Sequence, residues 1–122
     1  MAQFMISVFH QPGVQSAGAA YGSEEDMQAA FAAVTQFNAD LQAAGQWVYA
    51  GSLTPPESAI TVDSAGPVPL EPDVTPGPFS VAAAALGGFW IIEAVNQAAA
   101  LERATQASAA CGQKVELRAL EG

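Results

Sequence analysis

Apolar and polar positions alternate along residues 3–10, and this pattern predicts the first strand of the chain. One face of that strand carries the large apolar side chains Phe4, Ile6 and Val8. The opposite face carries Met5, Ser7 and Phe9. Because both faces are largely apolar, we expect the strand to be covered on both sides.

A helix is predicted from Ser23 to about Ala44. Ser23 can accept a hydrogen bond from a free amide of the first turn, and Gly45 suits the left-handed position after the last turn. The acidic residues 24–26 favour the positive end of the helix dipole, so we interpret them as helix-start residues rather than as a metal site. The apolar stripe expected to face the core consists of Met27, Phe31, Val34 and Leu41.

The middle of the chain contains short strands interrupted by prolines. Residues 46–51 predict a second strand with Trp47 and Tyr49 on one face. A short strand over residues 59–62 is expected to pair with a segment around Val68–Leu70. The prolines of that region cannot donate to a ladder, so we expect this hairpin to lie at an edge or in a loop.

The last third of the chain predicts a strand, a helix and a strand. The strand covers residues 89–95 and follows Gly87-Gly88. The helix covers residues 97 to about 110, with Asn96 as its N-cap and Gly112 after its end. Residues 114–119 alternate between charged and apolar side chains and predict the final strand. The inner stripe of this helix is expected to carry Leu101, Ala104, Ser108 and Cys111.

These elements follow the order β-α-β, a hairpin insertion, and β-α-β. Two split βαβ units predict an α+β, ferredoxin-like fold, with an antiparallel sheet and both helices on one face. We expect residues 1–122 to form a single domain. Two helices cover one face of the sheet, so the other face would expose Phe9 and Trp90. A second copy packed sheet to sheet, giving a homodimer, is the simplest cover.

The composition narrows the classes of function. Of the 122 residues, 51% are hydrophobic and 12% are charged, which excludes intrinsic disorder. The net charge is −9 with 3 basic residues, so we expect no nucleic-acid partner and no membrane partner. The chain shows neither a signal-peptide pattern nor an apolar run of about 18 residues, which indicates a cytoplasmic protein. Cys111 is the only cysteine and is expected to be a packed thiol.

Several segments, in order, resemble the signature of a known family. They are Leu41–Gly45, Ala50–Pro56, Gly77–Phe79, Leu86–Trp90 and Val115–Arg118. Their residues and spacing are similar to those of the YCII-related proteins, in particular the branch of DGPF-domain proteins. The resemblance implies a ferredoxin-like protomer in a dimeric α/β barrel. The resemblance also implies two possible roles. Some relatives are small-molecule enzymes, including a dehydrochlorinase that uses histidine and aspartate, and others are associated with sigma factors.

The chain departs from the signature of that branch at its polar positions. Pro76 stands where the branch has the leading Asp, and residues 80–85 read Ser-Val-Ala-Ala-Ala-Ala where it has Glu, Thr and Lys. Acid–base catalysis needs a titratable side chain close to the reacting atom, and alanine supplies none. We therefore expect Phe79 to be an apolar anchor, buried in the core or at the dimer interface, beside a segment without chemistry of its own.

His10 and Glu93 are the candidate catalytic residues. Histidine is the usual acid–base residue near neutral pH, and Glu93, Glu116 or Asp26 could orient His10 at the end of the first strand. The alternatives are that His10 contacts a ligand or a partner, or is a plain strand-end residue. With one histidine and no H-E-x-x-H motif, we expect no metal site, and Gly87-Gly88 lacks the pattern of a phosphate loop, so no cofactor is expected.

A second group of residues suggests a ligand pocket. Tyr49, Phe79 and Trp90 could form its aromatic walls, with Arg118 as a polar group. Glu116 and Arg118 lie two apart on one strand face and could form a network with Glu93. The alternatives are that the aromatic residues pack in the core or dimer and that the charged residues form a solvated face.

Two hypotheses for function remain open at this point. The first is a non-catalytic dimeric module that binds a small apolar ligand or a protein partner. The second is a small-molecule enzyme, a lyase, a dehydrochlorinase-like enzyme or a cofactor-free oxygenase, that uses His10 with a carboxylate. A wet cavity in which His10 meets a carboxylate would favour the enzyme.

Overall fold

The computed structural model describes residues 1–10, 21–64, 73–79 and 84–122. The elements in these ranges are β1 (Ala2–His10), α1 (Glu24–Ala43), β2 (Trp47–Ser52), a short 3-10 helix (Pro56–Ser58), β3 (Ile60–Asp63), β4 (Asp73–Pro76), β5 (Ala85–Ala94), α2 (Gln97–Cys111) and β6 (Lys114–Ala119). Among the described strands, β2-β5-β1-β6 form one antiparallel sheet, and β3 and β4 form a separate ribbon. This topology confirms the α+β, ferredoxin-like prediction.

Both long helices begin and end where the capping residues predict. The Ser23 hydroxyl accepts a hydrogen bond from the Asp26 amide at 3.1 Å, and the Asn96 side chain accepts one from the Ala99 amide at 2.9 Å. These bonds satisfy first-turn donors that have no partner inside the helix. Gly112 ends α2 with a φ of 69°, a left-handed conformation that glycine adopts without steric cost.

Strand β1 lies in the middle of the sheet and supplies much of the core. It pairs with β5 on one side and with β6 on the other. Phe4, Ile6 and Val8 are buried under the helices, as the alternation predicts, and Ile92 of β5 packs with them. We call the other side of the sheet the open face. Its residues include Met5, Ser7, Phe9, Tyr49, Phe89, Ile91, Glu116 and Arg118.

The prediction that Trp90 lies on the uncovered face is wrong. Trp90 is 5% exposed and packs edge-on against Phe37 of α1, with ring centroids 5.3 Å apart. It pairs with Ile6 in the β1–β5 register, so it shares the helix-covered side of that residue. Phe37 of α1 packs against the Trp90 ring and helps to bury it. The predicted apolar stripe of α1 did not include Phe37.

Both predicted helix stripes need correction. In α1 the buried side chains are Phe37 and Leu41, whereas Phe31 is exposed. In α2 the prediction of Leu101 as an inner residue is wrong, since it is 57% exposed. The face of α2 that packs on the core is made of small residues, namely Ala100, Ala104, Ala107 and Cys111. Alanine side chains can be buried without displacing the sheet residues. Because α2 packs on the core through its alanines, Leu101 lies on the exposed side of the helix.

Two strand predictions in the middle of the chain also change. The β2–β5 ladder is irregular between Trp47 and Tyr49, so these residues do not share a face as predicted. Trp47 packs against the core, while Tyr49 pairs with Ile91 on the open face. An irregularity of this kind adds one residue to a strand and reverses the alternation after it.

Strand β3 pairs with Asp73–Pro76, and the predicted partner around Val68–Leu70 lies outside the described residues. The run from Asp73 to Thr75 has consecutive N–H donors, whereas proline occurs at 67, 69 and 72. Within the described ranges, no helix is long and apolar enough to cross a membrane.

The small-residue face of α2 gives a direct test of this packing. Ala107→Leu should lower the free energy of unfolding by about 1–3 kcal/mol, because a larger side chain must enter a filled core. The matched change Leu101→Ala on the same helix should cost no more than about 0.5 kcal/mol, because Leu101 is mostly exposed. Urea unfolding measures both values. A larger cost for Leu101→Ala than for Ala107→Leu would contradict the described orientation of α2.

Candidate functional site

A cavity of about 290 Å³ lies between the helix-covered side of the sheet and α1, next to the end of β1. Its described lining includes four aromatic side chains, Tyr21, Phe31, Trp47 and Trp90, while Phe89 of the lining directs its ring to the open face. Its polar side chains are His10, Asn38, Ser52, Cys111 and Gln113. The described lining contains no Asp, Glu, Lys or Arg. The site therefore combines apolar walls with a few uncharged polar groups, which is typical of small-ligand sites.

His10 enters this cavity because of the register of β1. It lies two residues beyond Val8 on the helix-covered side, and it is 4% exposed. Its Nδ1 forms a hydrogen bond with the side-chain oxygen of Gln113. His10 thus lies beside the cavity at the end of β1, and its partner is an amide.

A glycine makes room for the imidazole ring. Between Val8 and Phe9 the β1–β5 register shifts, since Val8 pairs with Gly88 and Phe9 pairs with Leu86. Gly87 is therefore the extra, bulged residue of β5. A Cβ atom at this position would overlap the ring of His10. The bulge and the absence of a side chain together allow His10 to stay inside the fold.

The carboxylates proposed as partners of His10 lie elsewhere. Glu93 pairs with Gln3 at the opposite end of β1, and Glu116 pairs with Ser7 on the open face. Asp26 is exposed in the first turn of α1. The structure brings none of them to His10. Gln113 was missed by the sequence analysis, although it directly precedes Lys114, which pairs with Phe9. That register is the signal that could have found it.

Tyr21, Cys111 and Gln113 form a connected polar group behind His10. The Tyr21 hydroxyl donates to the Cys111 carbonyl at 2.6 Å, and the Ser108 hydroxyl donates to the Gln113 carbonyl at 2.6 Å. Burial raises the pKa of Tyr21, and a hydrogen bond with the Gln113 side chain acts in the opposite direction. Burial also raises the pKa of the Cys111 thiol. Cys111 is thus a buried, protonated thiol, as predicted.

Asn38 fixes the other side of the cavity. The Trp90 indole N–H donates to the Asn38 side-chain oxygen at 2.7 Å. This bond satisfies the polar atom of a buried tryptophan and ties the wall of the cavity to α1. Asn38 occupies the helical stripe of Val34 and Leu41, where the sequence analysis expected only apolar residues.

The four residues predicted to bind a ligand do not lie together. Trp90 lines the cavity. Tyr49 is 60% exposed on the open face, where its ring lies 6.0 Å from that of Phe89, and Arg118 pairs with Met5 on the same face. Phe79 is 91% exposed, so the expectation that it is buried in the core is wrong. It lies three residues after β4, whose residues are all exposed.

The segment from residue 80 to 83, next to Phe79, lies outside the described residues. In the described ranges, no group of three or more His, Cys, Asp or Glu side chains is arranged to hold a metal ion.

The fold and the cavity define a ferredoxin-like α+β protein with an uncharged, aromatic-walled site at the end of its central strand. The chain matches the YCII-related domain over residues 2–119, and it belongs to that family. Among curated proteins, none matches the chain.

The contact between His10 and Gly87 can be tested by a double-mutant cycle. Gly87→Ala should lower the free energy of unfolding by about 1–3 kcal/mol, because the new methyl group displaces the imidazole from Gln113. In the His10→Ala background the same change should cost much less, because the overlapping ring is gone. Urea unfolding of the four proteins gives the coupling.

Gly51→Ala is the matched control, because a Cβ there would meet the Phe89 ring at an ordinary 3.5 Å. This change should alter the free energy of unfolding by less than about 1 kcal/mol. An equal cost of Gly87→Ala with and without His10 would show that the ring does not occupy the space above Gly87.

Proposed function

We propose that this protein is a non-catalytic, homodimeric module that binds a small uncharged ring compound in the cavity beside His10. The observation that carries the proposal is the lining: aromatic side chains surround a few polar groups, and no described lining residue is charged. Aromatic walls hold planar molecules through apolar contact and ring stacking. The volume of about 290 Å³ suits a molecule of one or two rings.

The uncharged lining favours an uncharged ligand. A charged ligand would lose its hydration without gaining an opposite charge from the described lining. An uncharged ligand is free of that penalty.

The surroundings of His10 support binding rather than catalysis. In histidine-based catalysis a carboxylate commonly holds the imidazole and stabilises its protonated form. Here the partner is the Gln113 amide, and Glu93 and Glu116 lie away from the cavity. Pro76, which replaces the Asp of the DGPF signature, is an exposed residue of β4. Pro76 thus supplies no acid–base group at the position where the resemblance to that branch implies one.

The open face supports the homodimer. Met5, Phe9, Phe89 and Ile91 form an apolar strip there, whereas both helices pack on the opposite side. An apolar strip across two neighbouring strands is best covered by another apolar surface, and a second copy offers the same strip.

Light scattering should therefore give twice the chain mass of 12.4 kDa. Phe89→Glu should yield the monomer, because a carboxylate would be buried without a partner in the interface. Val95→Glu, at an exposed position after β5, should leave the dimer intact. A wild-type mass of 12.4 kDa at micromolar concentration would rule out the proposed dimer.

Ligand binding can be tested with naphthalene, an uncharged bicyclic ring. Titration should shift the indole N–H signals of Trp47 and Trp90 in a saturable way, with a dissociation constant of about 1 mM or tighter. Ala50→Leu, which extends a lining side chain into the cavity, should weaken binding about tenfold or more. Val48→Leu on the same strand lies outside the lining and should not change it. Absence of saturable shifts in the folded protein would contradict the proposed function.

A further inference from the structure

The outer edge of β6 is the side of that strand that faces away from β1. Among the described strands, β6 is the last of its sheet and pairs with β1 alone. The Leu120 amide donates to the Gln3 carbonyl at 3.0 Å, so the even-numbered residues of β6 direct their N–H and C=O groups toward β1. Val115, Leu117 and Ala119 therefore direct theirs to the outer edge, where an added strand can bind them.

An apolar groove lies beside this edge, on the helix-covered side of the sheet. It has a volume of about 630 Å³ between α2 and β6, and its lining includes Leu101, Val115 and Leu117. Leu101 is 57% exposed, although α2 packs on the core through its small residues. A strand added to β6 would place alternate side chains over this groove. The edge therefore offers both backbone partners and apolar surface.

The open face of β6 carries the charges that select a partner for this edge. Lys114, Glu116 and Arg118 are all exposed there, and none of them forms an ion pair with another described residue. Charged side chains on an edge strand normally oppose pairing with another strand. A strand that pairs with β6 must therefore place opposite charges across from them.

A second copy of β6 meets this condition in one register. Two copies related by a two-fold axis pair antiparallel, and one residue then lies opposite its own copy. If that residue is Leu117, Glu116 of each copy lies opposite Arg118 of the other. Val115 lies opposite Ala119, and these residues and Leu117 are the ones whose backbone groups face the outer edge. Backbone pairing and charge pairing therefore agree in this register.

Neighbouring registers bring like charges together. Centring the pair on Glu116 places two carboxylates opposite each other and Lys114 opposite Arg118. Centring it on Arg118 places two guanidinium groups opposite each other. Like charges directly opposite in a sheet are destabilising.

The remaining register, centred on Val115, gives a shorter ladder. It pairs Lys114 with Glu116, but it keeps only residues 114–116 of β6 in the ladder, whereas the register centred on Leu117 keeps residues 115–119. Fewer backbone hydrogen bonds form across the shorter ladder. The sequence of β6 thus favours pairing about Leu117.

We propose that the outer edge of β6 is a second interface between copies of this chain, in which two β6 strands pair antiparallel about Leu117. Reciprocal Glu116–Arg118 pairs lie on the open face, and Leu101 of each copy lies over the joined groove. This surface is distinct from the strip of the proposed open-face dimer and from the cavity, so the inference does not rest on the proposed function. With that dimer, edge pairing produces a tetramer.

Edge pairing should be weaker than the open-face contact, because it is confined to one strand and one groove. We expect a dissociation constant of about 0.1–1 mM, so the tetramer forms well above the micromolar range in which the dimer is measured. Sedimentation of the wild-type protein from about 20 μM to about 2 mM should show the mass double with a saturable dependence on concentration. A constant mass over this range would overturn the proposal.

Nitrogen–proton NMR spectra over the same range locate the contact. The backbone N–H signals of Val115, Leu117 and Ala119 should shift with concentration, because these groups gain partners. The signals of Glu116 and Arg118, whose N–H groups already face β1, should shift less. Concentration-dependent shifts confined to β2, the other edge strand of the described sheet, would overturn the proposal.

Charge reversal tests the register. Glu116→Arg and Arg118→Glu should each weaken association about tenfold or more, because each variant places like charges opposite each other twice in the pair. The double variant Glu116→Arg/Arg118→Glu should associate like the wild type. An equimolar mixture of the two single variants should also associate, because each charge then meets its opposite. Thermal melting verifies that each variant is folded.

Lys114→Glu is the matched control, because it changes the net charge as Arg118→Glu does. In the proposed register Lys114 lies opposite Leu120 of the second copy, so this variant should associate nearly as well as the wild type. An equal loss in Lys114→Glu and Arg118→Glu would show general charge repulsion and overturn the register. Association that survives both single variants, or that the mixture does not restore, would overturn it as well. Naphthalene binding tests the proposed function separately.

Discussion

The register of β1 against β5 is the constraint on which both the core and the cavity depend. Phe4, Ile6 and Val8 reach the core only because β1 pairs as it does, and a slip by one residue would turn all three to the open face. The bulge at Gly87 is part of the same register. The alternation of β1 places His10 on the helix-covered side, and the bulge leaves space for its ring. The pairing of β1 with β5 therefore determines both the packing of the core and the position of the candidate site.

The carboxylates of the described residues lie away from the site. The chain has 12 acidic residues and a net charge of −9, yet within the described ranges no Asp or Glu lines the cavity beside His10. Surface carboxylates stay hydrated and cost little, whereas a carboxylate in an aromatic cavity would need a cation or a donor network.

Local signals in the sequence predicted the parts of the fold that depend on neighbouring residues. Ser23 and Asn96 cap their helices as expected, because an N-cap bond spans only three residues. The alternation of β1 and β6 also predicted their faces. The inner residues of α1 and α2 were less predictable. Leu101 and Phe31 fit an apolar stripe, but the packing of the helices on the sheet buries Ala107 and Phe37 instead.

The sequence by itself determined the element order, the ferredoxin-like topology, the strong acidity and the position of His10 at the end of a strand. These features follow from periodicity and capping, which depend on residues close in the sequence, and from composition, which is a sum over all residues. Only the tertiary structure decided that His10 meets Gln113 and not Glu93, and that Trp90 lies under α1 rather than on the open face. His10 and Gln113 meet because β1 pairs with β6, although about a hundred residues separate the two strands in the sequence. Only the pairing of β1 with β5 creates the one-residue bulge at Gly87 that leaves space for the His10 ring, and no local pattern of side chains encodes that bulge.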